Sequence, residues 1–143
     1  MTVDCGIRDN DLVEKYKKKG LEFIITDHHE PPKSDKDEFE VPKRAFAVVH
    51  PMVSPDYDFN SICGAAVAWN LVRAIKEESI TRGLLPKDIE VNDYLDLVAL
   101  ATVCDVMPLV DQNRIIVKHG LERIKRTNNQ GIQEMLRSNA LDS

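Results

Sequence analysis

Cysteine is scarce in this sequence: three residues in 143, Cys5, Cys63 and Cys104, with no CxxC spacing among them. An odd and widely spaced set does not build a disulfide framework, and it fits a reducing, cytoplasmic setting. Positive charge is also short. Lys and Arg number 19 against 24 Asp and Glu, for a net charge of −5. That balance excludes a strongly basic nucleic-acid module as a description of the whole chain. It leaves room for a local basic patch and suits a protein that gathers carboxylates around metal ions. No apolar run approaches the roughly 18 residues that a bilayer span requires, so no membrane association is expected. The opening MTVDCGIRDN has neither a basic n-region nor an apolar h-region, and strand-like sequence begins almost at once. Internal repeats and low-complexity tracts are absent.

What is present is ordinary for one globular domain with a real core: 43% apolar and 30% charged residues. Thr2 to Cys5 reads as a short strand ending at Gly6. Asp9, Asn10 or Asp11 can cap a helix through about Lys19, with Leu12, Val13 and Tyr16 on one face and Gly20 as its stop. Leu21 to Thr26 reads as a buried strand, which completes a βαβ unit and predicts a parallel sheet. Pro31 to Arg44 is a polar loop, and Ala45 to Val49 is a third strand closed by His50-Pro51. Ser61 is the expected cap of a helix from Ile62 to about Glu78, whose small apolar start, ICGAAVAW, implies close packing. Asn92 caps the next helix, apolar on most sides, which runs toward Cys104-Asp105 and breaks at Pro108. Asp111 caps a further helix with Ile115, Ile116, Leu121 and Ile124 inward, and a polar helix spans about Gln130 to Ser138. The predicted class is α/β, a parallel sheet flanked by helices with a helical C-terminal part.

In a parallel sheet, ligands collect beyond the carboxyl ends of the strands. Asp4 ends the first strand, and Asp27, His28 and His29 end the second. Asp105 follows an unusually apolar helix and precedes a proline. Carboxylate oxygens suit hard divalent ions and imidazole suits Mn²⁺, so this is the ligand set of a Mn²⁺- or Mg²⁺-type hydrolase. Neighbouring residues of a strand face opposite ways, so the two histidines divide between the metal and the substrate unless the chain bends. Cys5 and Cys104 adjoin candidate ligands and are expected to be buried and inert. His119 is expected at the surface. Lys17 to Lys19 read as a solvated helix end, and Lys118, Arg123, Lys125 and Arg126 as candidate backbone contacts for nucleic acid.

The segments TVDCGI (2–7), IITDHHEPP (24–32), AVVHP (47–51), ICGAAVAWNL (62–71), YLDLVALATVCDVMPL (94–109) and QNRIIVKHGLERIKRT (112–127) together resemble the DHH phosphoesterase superfamily. Within it they are most similar to the RecJ group of bacterial single-strand-specific 5′→3′ DNA exonucleases. The resemblance runs from Thr2 to about Leu136. It implies that Asp4, His28 and Asp105 are metal ligands, that Asp27 supports the centre and that His29 faces the scissile phosphate. It implies Mn²⁺ or Mg²⁺ as cofactor and single-stranded DNA as substrate, hydrolysed by two-metal chemistry. Arg114 and His50 are candidate nucleic-acid contacts; Arg114 reads equally as a capping or salt-bridge residue and His50 as a turn histidine with a local hydrogen bond, and His50 stands where the family has asparagine.

Two parts of the family pattern are not found: an earlier strand ending in a DxD-type motif, and a second domain that grips nucleic acid. The expectation is therefore one partial DHH domain over 1–143, with a βαβ-rich part at 1–60 and a mainly helical part at 61–143. It would hold one ion and be inactive or weak alone, and it would self-associate or take the missing strand from another chain. The alternatives are a DHH phosphodiesterase for short oligonucleotides or cyclic dinucleotides, and a non-catalytic remnant or binding module.

Overall fold

The computed structural model describes residues 1–139. Three short strands, β1 (Thr2–Val3), β2 (Ile24–Thr26) and β3 (Ala47–Val49), form a parallel sheet in the order β1-β2-β3. Five α-helices accompany them: α1 (Asn10–Lys17), α2 (Gly64–Thr81), α3 (Leu95–Cys104), α4 (Asp111–Ile124) and α5 (Gln130–Ser138). The strands are shorter than the sequence suggests. β1 stops because Asp4 enters the left-handed region at φ 63°, a conformation that aspartate tolerates better than most residues.

Register decides where the chemistry collects. Val3 pairs with Thr26 and Thr26 with Val49. The next residue on each strand is Asp4, Asp27 or His50. The ladder continues one step into them, with the Asp4 N–H donating to Thr26 O at 2.9 Å and the Asp27 N–H to Val49 O at 3.3 Å. Three polar residues therefore stand in a row along the carboxyl edge of the sheet.

The main core lies between α2, α3 and α4, where Ile62, Ala66, Val67, Val98, Ala99 and Ile116 are buried. Ile7, Val13 and Ile25 are buried nearer the sheet. α3 and α4 approach closely because Gly120 has no side chain: a Cβ there would lie 2.2 Å from Ala99 Cβ and 2.4 Å from the Leu95 carbonyl oxygen.

Several element boundaries and faces depart from the sequence reading. Ser61 does not cap α2; the helix begins at Gly64 after Cys63. Asp111 is the first residue of α4 and Val110 its cap. The buried face of α4 is Asn113, Ile116, Val117 and Gly120, whereas Ile115 and Leu121 are more than half exposed. The hydrophobic period was blurred there because a glycine and an asparagine occupy the interior. Asn113 is buried because its Nδ2 donates to the Ser61 and Pro108 carbonyls at 2.6 and 2.9 Å. It ties α4 both to the approach of α2 and to the loop after α3.

Candidate metal centre

Asp4 and Asp105 converge on one imidazole. His28 Nε2 lies 3.1 Å from Asp4 Oδ1 and 3.3 Å from Asp105 Oδ2. The His28 ring is almost buried, at 8% side-chain exposure, while the two carboxylates are 58% and 43% exposed. A buried nitrogen thus faces two oxygens that open to solvent. The donor set, two carboxylates and one imidazole, matches the preferences of Mn²⁺ and Mg²⁺, and these three side chains could hold a single ion.

Local backbone geometry aims two of the three. Asp4 sits at its positive φ as β1 ends. Asp105 closes α3, and the following residue, Val106, takes φ 56°. Met107 N–H reaches back to Thr102 O and Val106 N–H to Val103 O, both at 3.1 Å. That is a Schellman cap, with a β-branched residue in the place glycine usually takes, at a cost of roughly 1–2 kcal/mol. Left-handed residues thus border the site on both sides, as occurs where a functional geometry overrides local preference.

His29 departs from the strand-based expectation. The strand ends at Thr26, so alternation no longer governs the pair, and the two histidine rings stand 4.5 Å apart at 52°. One donor atom each from Asp4, His28 and His29 lies within 4.8 Å of the others. The rings share a side of the structure; they do not face opposite ways. His29 Nδ1 is already engaged with Asp27 Oδ1 at 2.7 Å, which leaves its Nε2 as the atom available at the cleft.

Asp27 organises this arrangement from beneath. It is 1% exposed. Its Oδ2 accepts the Ile7 N–H at 3.0 Å, and its Oδ1 accepts the N–H groups of His28 and His29 at 2.8 and 3.2 Å besides the ring contact. Burial pushes the Asp27 carboxyl up, but the Ile7 amide, the His29 ring and the two following amides outweigh it, so the acid lies below its ordinary range. The hydrogen bond to Asp27 raises His29 above its ordinary value against a smaller effect of burial, with Asp4 and Asp105 adding to the rise.

His50, a candidate nucleic-acid contact, is 1% exposed, and both of its ring nitrogens are engaged within the chain. Its Nε2–H donates to the His29 carbonyl at 2.8 Å, and its Nδ1 accepts the Met52 N–H at 3.1 Å. It holds the chain after β2 in place. Burial lowers its pKa from about 6.5, more than the His29 carbonyl raises it. The unfolded chain therefore takes up a proton first as pH falls, and stability is lost below about pH 6.5. His29, shifted the other way, gives stability at lower pH that disappears as pH rises through its raised value. We expect the urea midpoint of the wild type to fall between about pH 7 and pH 5.5 more than that of His50→Asn, whose Oδ1 can still accept the Met52 amide. Equal falls in both would remove His50 as the responsible group.

The other expected residues divide. Arg114 is exposed on α4, with no ion pair among the described residues. Cys5 and Cys104, expected to be buried, are exposed, and only Cys63 is interior. His119 is at the surface, as expected. Sequence reading missed Gly64, the first residue of α2. A Cβ on Gly64 would lie 2.2 Å from Asp4 Oδ1 and 2.7 Å from its Cγ. The small-residue start of α2 had signalled a close neighbour without identifying it.

The sequence model of the DHH family, N-terminal domain, matches residues 1–102. The chain belongs to the DHH family. It is 38% identical over 138 residues to the single-stranded-DNA-specific exonuclease RecJ of Bacillus subtilis (strain 168), covering 96% of this chain and 15% of that protein. It is 40% identical over 124 residues to the RecJ of Thermus thermophilus, covering 87% of this chain and 16% of that protein. The crystal structure of exonuclease RecJ bound to manganese superposes with a TM-score of 0.75 at 36% identity, over 96% of this chain and 31% of that one. The crystal structure of RecJ from Thermus thermophilus in complex with Mn²⁺ matches at the same TM-score and identity, over 19% of its length. This DHH chain therefore spans under a third of each relative named. No helix among its described residues is long and apolar enough to cross a membrane.

Proposed function

We propose that this DHH domain takes part in metal-dependent hydrolysis of phosphodiester bonds in single-stranded DNA, as the RecJ exonucleases that it resembles do. The convergence of Asp4 and Asp105 on His28 Nε2 carries the reading, because two solvent-facing carboxylates and one buried imidazole nitrogen have little structural purpose at the carboxyl edge of a parallel sheet. Asp4, His28 and Asp105 would hold Mn²⁺ or Mg²⁺. A bound divalent ion supplies positive charge to the phosphate and lowers the pKa of a water.

The remaining work falls to the chain. His29 presents Nε2 toward the phosphate, and Asp27 Oδ1 holds the proton on Nδ1, which fixes the ring and stabilises its charged form as negative charge builds on the phosphate. His50 fixes the His29 backbone and so sets where that ring stands. The three ligands amount to one ion's set, so turnover by the chain alone is expected to be weak.

The test is Mn²⁺-dependent nucleotide release from 5′-phosphorylated single-stranded DNA, with Asp105→Ala run beside the wild type to exclude a contaminating nuclease. Slow release that disappears in Asp105→Ala supports the proposal. Release that persists unchanged in the variant, or a preference for dinucleotides over long strands, counts against it.

A further inference from the structure

Arg8 occupies the turn between β1 and α1, directly after Ile7, whose amide is fixed by Asp27. Its guanidinium crosses to the segment after β2, where Nε and Nη2 donate to the Glu30 carbonyl oxygen at 3.0 and 2.9 Å. Those two donors belong to one edge of the planar group. A guanidinium has five N–H donors, so three remain, and they include the Nη1–Nη2 edge that receives two oxygens of a phosphate side by side. Among the described residues Arg8 forms no ion pair with a carboxylate.

Its position gives that free edge a purpose. A cleft of about 300 Å³ is lined by Asp4, Asp27 and His29 together with Arg8, which among the described residues is the only Lys or Arg on its wall. A second cleft of about 160 Å³ shares Ile7 and Arg8 with the first and extends to Lys43. Arg8 is thus the wall common to both, between the candidate metal centre and an outer basic residue. A phosphodiester approaching the first cleft meets Asp4, Asp9, Asp27 and Glu30. It needs positive charge on the protein beyond any ion that Asp4 helps to hold.

We infer that Arg8 holds a backbone phosphate of the single strand next to the bond being cleaved, and that the strand continues over Ile7 toward Lys43. This rests on the proposed action on single-stranded DNA and adds a binding residue to it. The guanidinium is already ordered by Glu30, so little side-chain entropy is lost on binding. The Glu30 contact on its own would make Arg8 merely a brace between two loops, and the salt dependence of binding separates the two roles.

The experiment is a fluorescence-anisotropy titration of a labelled, 5′-phosphorylated oligothymidylate with the 143-residue chain, between about 50 and 200 mM salt. Wild type, Arg8→Ala and Arg8→Gln are compared, the last because its amide can still donate to Glu30 O without carrying charge. Both variants are expected to bind about 10-fold more weakly, with the slope of log affinity against log salt reduced by about 0.7, the value of one phosphate on a single strand. Unchanged affinity and slope in Arg8→Gln overturn the inference and leave the proposed function standing. A brace alone would weaken Arg8→Ala, spare Arg8→Gln and leave the slope unaltered, which also overturns it. Absence of binding by the wild type sinks the single-strand reading and the Arg8 inference together.

Discussion

Gly64→Ala is expected to fold less stably than the wild type and to lose its metal. The added methyl would overlap Asp4 Oδ1 at 2.2 Å, Cγ at 2.7 Å and Cβ at 2.8 Å, far inside any tolerated contact. Rotation of the Asp4 side chain moves its oxygen and Cγ but leaves Cβ in place, so the backbone at the end of β1 or the start of α2 must also yield. Alanine's better helix propensity, up to about 1 kcal/mol, offsets only part of that shift. The Asp4 side chain, 58% exposed, also rotates toward solvent. That rotation takes its oxygen away from His28 Nε2. A thermal midpoint below that of the wild type is therefore expected, together with Mn²⁺ affinity lower by about 10–100-fold in the folded protein, as found when the support of a ligand is removed. Mn²⁺ titration followed by electron paramagnetic resonance measures the affinity, and circular dichroism the fold. Wild-type affinity in a folded Gly64→Ala protein would show that Asp4 is not a ligand, or that the ion sits where the methyl does not matter. Asp4→Ala sets the scale, since both variants should lose the same oxygen.

The second large effect is expected on stability. Asp27→Asn keeps the size of the side chain and reverses one of its polar ends. The buried carboxylate accepts from the Ile7, His28 and His29 amides and from the His29 ring. An amide offers one oxygen and one NH₂ group. Whichever way it is placed, an N–H donor faces another N–H, and at least one amide in the turn before α1 or after β2 is left unsatisfied. Hydrogen bonds to a buried charge are worth about 1.5–3 kcal/mol each and an orphaned donor costs a similar amount, so a loss of about 3 kcal/mol is expected from denaturant titration at neutral pH. The pH dependence follows from the same contacts. The carboxyl is held below its ordinary 3.8, so its contribution is complete above that value and is lost as pH falls through the lower folded value. Asp27→Asn should show a shallower decline below about pH 4 than the wild type. Wild-type stability in Asp27→Asn would mean that the carboxylate does not organise the turn.

Much of the centre was legible because it is local in sequence. The Asp27-His28-His29 triplet follows three strand residues, and the rule that parallel strands present their ligands at their carboxyl ends places it at once. The βαβ pattern from Thr2 to Thr26 announced a parallel sheet for the same reason: an eight-residue helix between two short apolar runs leaves few other topologies. The paired histidines were harder. Strand alternation predicted opposite faces, and that reasoning failed because the strand stops at Thr26, before either histidine. His50 read equally as a cleft residue or as a turn histidine with a local hydrogen bond, and only burial and its two hydrogen bonds show that it supports the backbone of His29. On α4 the apolar letters at 115 and 121 misled, because the close approach of α3 favours a glycine at 120 and an internal hydrogen-bond donor at 113 over bulk.

The sequence by itself determined the α/β class, the family resemblance and the residue types at the centre, since each depends on spacing within a few residues or on motifs that can be read along the chain. Tertiary structure alone decided which of those residues meet. Asp4 and Asp105 are separated by 101 positions, yet their oxygens lie 3.1 and 3.3 Å from one nitrogen. Gly64 guards Asp4 across 60 positions, and Arg8 reaches Glu30 across 22. No periodicity encodes such contacts. They arise when register aligns the strand ends and helix packing brings α2 and the end of α3 over that edge, where a missing methyl or a left-handed residue settles the final ångström.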